Sequence, residues 1–470
     1  MLRLPILLGS AAVLALVSTN LAQAPQGDFA VSFTAGSRDD AGRFMGGSEM
    51  RVLAAHAGRL YAGNGYWEDQ PGPEGPQGAQ ILVLDGSVAR WRVDHAFDER
   101  VRDGRPRDLA VSALEEVTFT TDGKGARLPA PVSLLIAANW DLTGTARVFS
   151  RDDATGVWAA ASLAQDRPMP GFLPQVRSLG GHRDAVTSVD LVFAGQDPRG
   201  IFSGTYDPAV PGRIRWSATP ELDLSGASAA GLSGRNGHLR VSSFAECNSR
   251  FYAAAGQQIY ERIDGALPRW RLVYANPYPG HSETGLRGLT AIASPSGQGQ
   301  VLLAAVEGSA ARLVRVDPHD GNEVTELGLA GFLANAWGMR ASYVIAAYND
   351  MVKIRHPGGG EALLIGLEAF VPSSAPVAAG HNVVNVGYGR LEAGGWYLVR
   401  RAPGRYDLRQ VMAPSDKPLV ATRSIRVSPF ARGDDAVYFA GYDANKVPAH
   451  DTAWIFRSTV ATATGAAREP

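Results

Sequence analysis

Two kinds of apolar segment recur along the chain. The first is a short run introduced by Arg or Asp. The second is a continuous apolar run that closes on small residues, then an aromatic, then an acid or amide. The pair occurs as Met50–Leu53 with Arg59–Trp67, Arg107–Val111 with Val132–Trp140, and Val189–Gly195 with Gly200–Gly204. It returns as Leu239–Ser243 with Arg250–Ala255, Leu286–Thr290 with Val301–Ala305, and Ile425–Ser428 with Ala436–Gly441. Most copies lead into an alternating segment (Ala79–Asp85, Arg312–Asp317, Ala453–Arg457). A tight turn and a fourth segment follow, such as Arg90–Val93 or Glu323–Leu327. Continuous apolar runs mark strands buried on both faces, and alternation marks half-buried ones. Such graded units, repeating every ~40–65 residues, are what the blades of a β-propeller require.

Six units are plain. Residues 335–415 hold further strands, Tyr343–Tyr348 and Val383–Tyr388, enough for one unit or two. The expectation is an all-β propeller of seven blades, with eight as the alternative. Phe29–Phe33 is expected to give the last unit its fourth strand and so remove an exposed edge. No linkers divide the chain as they would an array of β-sandwiches, and no βαβ alternation is present.

Composition sharpens this picture. Gly at 54 and Pro at 29 within a 45% hydrophobic chain suit many short strands and tight turns. Lys plus Arg number 45 against 46 Asp plus Glu, a balance that argues against nucleic acid as a partner. Arg3, the apolar run Leu4–Val17 and the small residues after it read as an export signal cleaved after Ala22. The expected organisation is a signal peptide over 1–22, one propeller over 23–460 and a disordered tail over 461–470. The protein is then secreted or periplasmic, monomeric, and without membrane insertion once the signal is removed. Cys247 is the single cysteine, so the fold must hold through its core, and a buried strand position is expected for it.

The ends of the second segments share a chemistry. They carry Tyr66, Trp67, Glu68 and Asp69, Trp140 and Asp141, Asp197, Tyr206 and Asp207, Asn349 and Asp350 after Tyr348, and Asp443. In a propeller those loops emerge on one face. The approaches to the first strands emerge there too, with Glu49 and Arg51, Arg105 and Arg107, Arg177 and His182, His238 and Arg240, Glu283 and Arg287, and Arg423. His450, beside Asp451, is a candidate acid–base or ligand residue in the loop after Asp443. Aromatic rings offer platforms for sugar faces, while carboxylates and guanidinium forks satisfy hydroxyls or acidic groups. The expectation is a polar ligand, a small molecule or oligosaccharide, on one axial face, with catalysis open. The alternatives are a polysaccharide hydrolase or lyase using axial carboxylates or His, and a non-catalytic protein-docking scaffold. The competing reading of the same residues is structural: Asp caps hairpins, and Tyr and Trp pack between blades.

The run Ser150–Trp158 (SRDDATGVW) resembles the Asp-box hairpin of sialidase-like propellers, with extra residues between Asp and Gly. It also resembles the aspartate-to-tryptophan repeat of quinoprotein propellers, with shortened spacing. Either resemblance implies a blade hairpin and no activity. In architecture the chain resembles secreted bacterial β-propellers. Asp317–Glu323 departs from EF-hand spacing and reads as a turn. Gly358–Gly360 lack the Lys-Ser/Thr of a phosphate loop, and the nine His residues show no HExxH spacing. No G-x-S-x-G elbow occurs. Neither cofactor nor metal is expected.

Overall fold

The computed structural model describes residues 29–66, 77–165, 175–225, 240–278, 285–374, 382–386, 389–411, 419–430, 434–443 and 451–466. They form antiparallel meanders taken in chain order. The first is Glu49–His56, Arg59–Gly65, Gln80–Leu84 and Arg92–Ala96. The next is Asp108–Thr121, Arg127–Asp141, Thr145–Arg151 and Trp158–Gln165. Then come Gln175–Arg183, Asp190–Asp197 and Gly200–Tyr206, with short outer strands Ile214–Trp216 and Leu222–Asp223. Val241–Cys247, Arg250–Ala255, Gln258–Ile263 and Arg269–Ala275 follow. After them stand Leu286–Ala293, Gln300–Val306, Arg312–Val316 and Glu323–Gly328.

The following sheet departs from the pattern. Its first strand is split into Tyr343–Ala346 and Val352–Arg355, both paired with Glu361–Phe370. Trp396–Ala402 and Arg405–Gln410 complete it, and the hairpin Asn382–Val386/Gly389–Ala393 joins its edge. The last sheet is Leu419–Val427, Ala436–Asp443 and Ala453–Thr459, finished by Ala30–Thr34 from the other end of the chain. First strands pack side by side around an axis, and Leu419–Val427 packs against Glu49–His56 to close the ring. The fold is an all-β propeller. Among the described residues the only α-helices are the short Leu329–Trp337 and Val460–Thr464.

Closure near the axis depends on the small residues that end the second strands. A Cβ on Gly63 would stand 2.6 Å from Val111 in the next sheet, and one on Gly195 would stand 2.6 Å from Val241. Larger side chains there would hold the sheets apart. Farther out, hydrophobic clusters join neighbouring sheets. One packs Val52, Tyr61 and Ile81 against Val111, Leu135 and Phe149. Cys247 lies buried in such a seam, and burial pushes its thiol up to about 11, so it is not poised as a nucleophile.

Histidines fasten two seams. His56 Nδ1 lies 2.6 Å from Glu116 and Nε2 lies 2.8 Å from Asp153 of the next sheet. His182 repeats the device with Glu246 at 2.7 Å and Asp264 at 3.1 Å, its ring stacked on Phe251.

Three expectations need correction. Val189–Gly195 is the second strand of its sheet, not the first. The true first strand, Gln175–Arg183 (QVRSLGGHR), is too polar to show an apolar run. Likewise Tyr343–Ala346 is half of a first strand, and the second is Glu361–Phe370. The expected tail after residue 460 begins with a docked helical turn: Ala463 and Thr464 are buried, and Tyr397 Oη donates to Ala463 O at 3.0 Å. The expected export signal and residues 467–470 lie outside the described residues.

Candidate functional site

We call the end where first strands begin and second strands finish the upper end. A bulge recurs there in the first strands. Met50 pairs with Asn64 and Val52 with Gly63, which leaves Arg51 as the extra residue. By the same count Ser112, Arg177, Ser242 and Arg423 are extra. A bulge leaves one residue unpaired and re-aims it. Here the arginines meet at the axis, while the serines tie sheets together. Ser112 Oγ donates to Val176 O of the next first strand at 2.7 Å, and Ser242 Oγ donates to Leu286 O of the next.

The arginines surround Tyr348, which sits in the gap of the split strand. The guanidinium carbons of Arg423, Arg177, Arg287 and Arg51 lie 4.1, 4.4, 4.8 and 5.8 Å from the ring centroid. Arg51 donates to the Tyr348 hydroxyl at 2.8 Å, and Arg177 and Arg287 donate to its carbonyl at 3.1 and 3.2 Å. Asn349 donates to the carbonyls of Arg51 and Arg423 and accepts from Arg177 at 3.0 Å. Carboxylates balance three of the four: Glu49 lies between Arg51 (3.2 Å) and Arg423 (3.1 Å), Glu368 pairs with Arg423, and Glu307 pairs with Arg287. Among the described residues Arg177 has no carboxylate at hydrogen-bond distance. Burial, with Arg51, Arg287 and Arg240 adding to it, pushes its guanidinium down to about 9. Burial opposes ionisation of Tyr348, but Arg51 and Arg177 outweigh it and pull the phenol down to about 8. These arginines are almost wholly buried, so the cluster is a plug that closes the axis.

Below the plug the axis opens. A cavity of about 120 Å³ is lined by residues at and just after the bulges, including Ser112, Glu115, Arg177, Phe244, Asp350 and Arg426. It shares Glu115, Asp350 and Arg426 with a pocket of about 400 Å³ that continues along Met351, Val352, Lys353 and Val427. Arg426 donates to Asp350 at 3.0 Å and to Leu53 O at 2.9 Å. Glu115 has no hydrogen-bond or ion-pair partner among the described residues. Burial pushes its carboxyl up to about 7, against the pull of Arg426 and with help from Asp350 and Glu116. Burial also raises Asp350. The cavity thus offers a carboxyl that changes charge near neutrality, an Asp–Arg pair, hydroxyls and an apolar wall.

The expected residues divide accordingly. Arg51, Arg287 and Asn349 belong to the plug, and Asp350 lines the cavity. Asp197 is buried at the upper end, where it accepts from Val241 N at 3.1 Å. Burial pushes it up to about 7, against Arg240 and Arg177. Asp141 is fully buried and caps its own turn through Thr143 N at 2.7 Å while holding Arg107 and Arg147; Trp140 beside it is half-buried. Tyr66 is buried, and Asp443 is half-buried at the end of its second strand. Trp67, Glu68, Asp69 and His450 lie outside the described residues, as do His238 and Glu283. Tyr206 and Asp207 are corrected: they end a third strand, at the lower end. There Tyr206 packs 5.8 Å from Phe119, and Asp207 caps its turn through Ala209 N at 2.9 Å. His182 is also at the lower end. Glu115 and Arg426 were not anticipated; the one available signal was the pair Glu115-Glu116 inside an otherwise apolar strand.

The hairpin resembling an Asp-box joins a third strand to a fourth. Asp152 accepts from Ala154 N at 2.9 Å and from Arg213 at 2.9 Å, while Trp158 is buried and donates to Asp94 at 2.8 Å. Its role in this chain is structural.

No protein-family model matches the chain, and no curated protein is similar to it in sequence. Similar solved structures include the Dos1 propeller (12% identity, TM-score 0.41, 88% of this chain and 93% of that one). The Cps50 (Swd1) β-propeller domain of Myceliophteria thermophila is similar at 11% identity and TM-score 0.41, over 90% of this chain and 99% of that one. Trypanosoma rangeli sialidase in complex with sialic acid is similar at 11% identity and TM-score 0.37, over 92% of this chain, which spans only 58% of that protein.

Proposed function

We propose that the protein is a secreted, seven-bladed β-propeller that binds a compact polar ligand, a saccharide, in the axial cavity below the Tyr348 plug. The observation that carries this reading is the cavity's lining. Glu115, Asp350, Arg426 and Asn349 present acceptors and donors toward one space, and Phe244 and Leu289 supply apolar walls. Convergent polar groups on an apolar concavity are the usual make-up of a small-molecule site. The plug is the reason for reading the site beneath it and not at the upper end, where the shared loop chemistry had been expected to form it.

A second reading is favoured by Glu115. A carboxyl pushed up to about 7 beside a second carboxylate suits acid–base work in a hydrolase or lyase. One screen addresses both readings. Mature protein is offered neutral and acidic oligosaccharides, followed by thermal shift and by product formation. A raised melting temperature without product is expected of a binding protein, and product that Glu115→Gln abolishes is expected of an enzyme. Neither signal with any saccharide would overturn the proposal and favour protein docking.

A further inference from the structure

We infer that the ligand of the axial cavity carries a carboxylate and is bound together with a proton on Glu115. The inference rests on the reading above only in placing the ligand in this cavity.

Most charges around the space are already paired. Asp350 and Arg426 neutralise each other at 3.0 Å. Lys353, at the outer pocket, lies 3.9 Å from Glu361. Glu116, next to Glu115 in the chain, is held by His56 of the neighbouring first strand at 2.6 Å. That leaves Arg177, without a carboxylate of its own, and Glu115, without a partner. Arg177 spends its donors on Ser112 O at 3.1 Å, Asn349 at 3.0 Å and Tyr348 O at 3.1 Å, none of which carries a formal charge. Two groups on the plug side also bear on it and titrate in the same range: the Tyr348 phenol at about 8 and Asp197 at about 7. A guanidinium stays protonated in proteins, so the crowding from Arg51, Arg287 and Arg240 is relieved by a counter-charge. With Glu115 ionised the cavity is near neutral, and an incoming anion meets a like charge. With Glu115 protonated the cavity is positive, and Glu115 turns from an acceptor into a donor. A ligand carboxylate then gains a hydrogen bond from Glu115 and the field of Arg177.

A neutral ligand has no such preference, and a cationic one has the opposite preference. The shared chemistry is a carboxylate, whether on a sugar ring or on a short hydroxy acid. Because only the protonated form of Glu115 accepts the anion, the apparent dissociation constant follows the protonated fraction. For a carboxyl at about 7, affinity falls roughly thirty-fold between pH 6 and pH 8.5.

The test is calorimetric titration of the mature protein with D-galacturonate, D-galactose and L-malate at pH 6 and pH 8.5, in wild type and in Glu115→Gln. The expected result is that a carboxylate probe binds at pH 6, weakens about thirty-fold or more at pH 8.5 in wild type, and weakens far less in Glu115→Gln, where only Tyr348 and Asp197 still titrate. Repeating the titration in buffers of different ionisation heat should show more proton uptake in wild type than in Glu115→Gln. Glu115 has no partner to lose, so the isosteric amide leaves the fold undisturbed. Galactose binding as tightly as galacturonate, or an unchanged pH dependence in Glu115→Gln, would overturn the inference while the saccharide reading stands. Malate binding as tightly as galacturonate supports the carboxylate and removes the saccharide. Failure of every probe at both pH values overturns both.

Discussion

The strand Gln175–Arg183 and the split strand Tyr343–Ala346/Val352–Arg355 occupy equivalent places beside the axis, yet solve the same problem differently. Gln175–Arg183 runs unbroken along its partner and gives up one residue, Arg177, to the bulge. In the split strand the ladder breaks between Ala346 and Val352, and the freed stretch delivers Tyr348, Asn349 and Asp350. A bulge re-aims one side chain; a break places three, together with their backbone. The unbroken strands therefore supply repeated, like-charged groups. The broken one supplies the ring and amide that those groups meet, and the carboxylate that Arg426 meets below them. The plug is a joint product, with its centre where the repeat fails.

This contrast can be broken by experiment. The largest effect is expected from Tyr348→Ala, which strips the ring from beneath four guanidinium groups. By analogy with other large-to-small changes it should cost about 3 kcal/mol in urea denaturation. Ser112→Ala, at the bulge of an unbroken strand, removes hydrogen bonds to Ala138 O and Val176 O and should cost about 1 kcal/mol. Equal losses from the two variants would mean that the split strand is no more central than its neighbours.

A smaller effect concerns pH. Tyr348 titrates at about 8 in the folded protein, below the ordinary 10.0 of an unfolded tyrosine. A lowered folded value adds stability as pH rises through about 8 and completes it above the unfolded value. The advantage of wild type over Tyr348→Phe should grow between pH 8 and pH 10, alongside an early tyrosinate absorbance step absent from the variant. Without that step the plug would lack the phenolate character its arginines imply.

The smallest effect is expected at the lower end, where His182 has the opposite sign. Burial lowers its value, but Glu246 and Asp264 outweigh burial and raise it above the ordinary 6.5. Both ring nitrogens face carboxylates, which accept only, so the charged ring is the one that fits. Its contribution is complete below the unfolded value and is lost as pH rises through the raised folded one. The stability gap between wild type and His182→Gln should therefore shrink on moving from pH 6 to pH 9 in thermal denaturation. A gap that widens over this range would contradict the charged-ring geometry.

Second strands were the legible part of the fold. They are buried on both faces and finish in small residues, as in Leu60–Gly63 and Leu191–Gly195. The closing role of the segment near Phe29–Phe33 was legible too, because the last unit lacked a strand. First strands were not. They are buried near the axis by polar pairing and open partly toward the lower end. Sequences such as QVRSLGGHR and VSSFAEC satisfy their serines and arginines against neighbouring backbone instead of alternating. One missed first strand moved the strand count of its sheet by one and carried Tyr206 and Asp207 to the wrong end. Bulges compound the difficulty, since which residue is extra depends on the partner strand. The axial groups visible beforehand, Glu49, Arg51, Arg177, Arg287, Tyr348, Asn349, Asp350 and Arg423, were named because they stand at the ends of the expected strands. Glu115 lies in mid-strand, where composition alone does not tell a channel-facing acid from a solvent-facing one.

The pairing of Ala30 with Arg457 and of Thr34 with Trp454 also sets a timetable. A chain made from its N-terminus onward releases Ala30–Thr34 early, yet that strand has no edge to join until Ala453–Thr459 has formed. Every earlier sheet is assembled from neighbours in sequence. The last must draw together two segments from opposite ends, a closure whose entropy grows only slowly with the length enclosed but which comes late in any order of events. Until then one strand edge of the ring stands open. For as long as synthesis continues, the ring stays an open clasp.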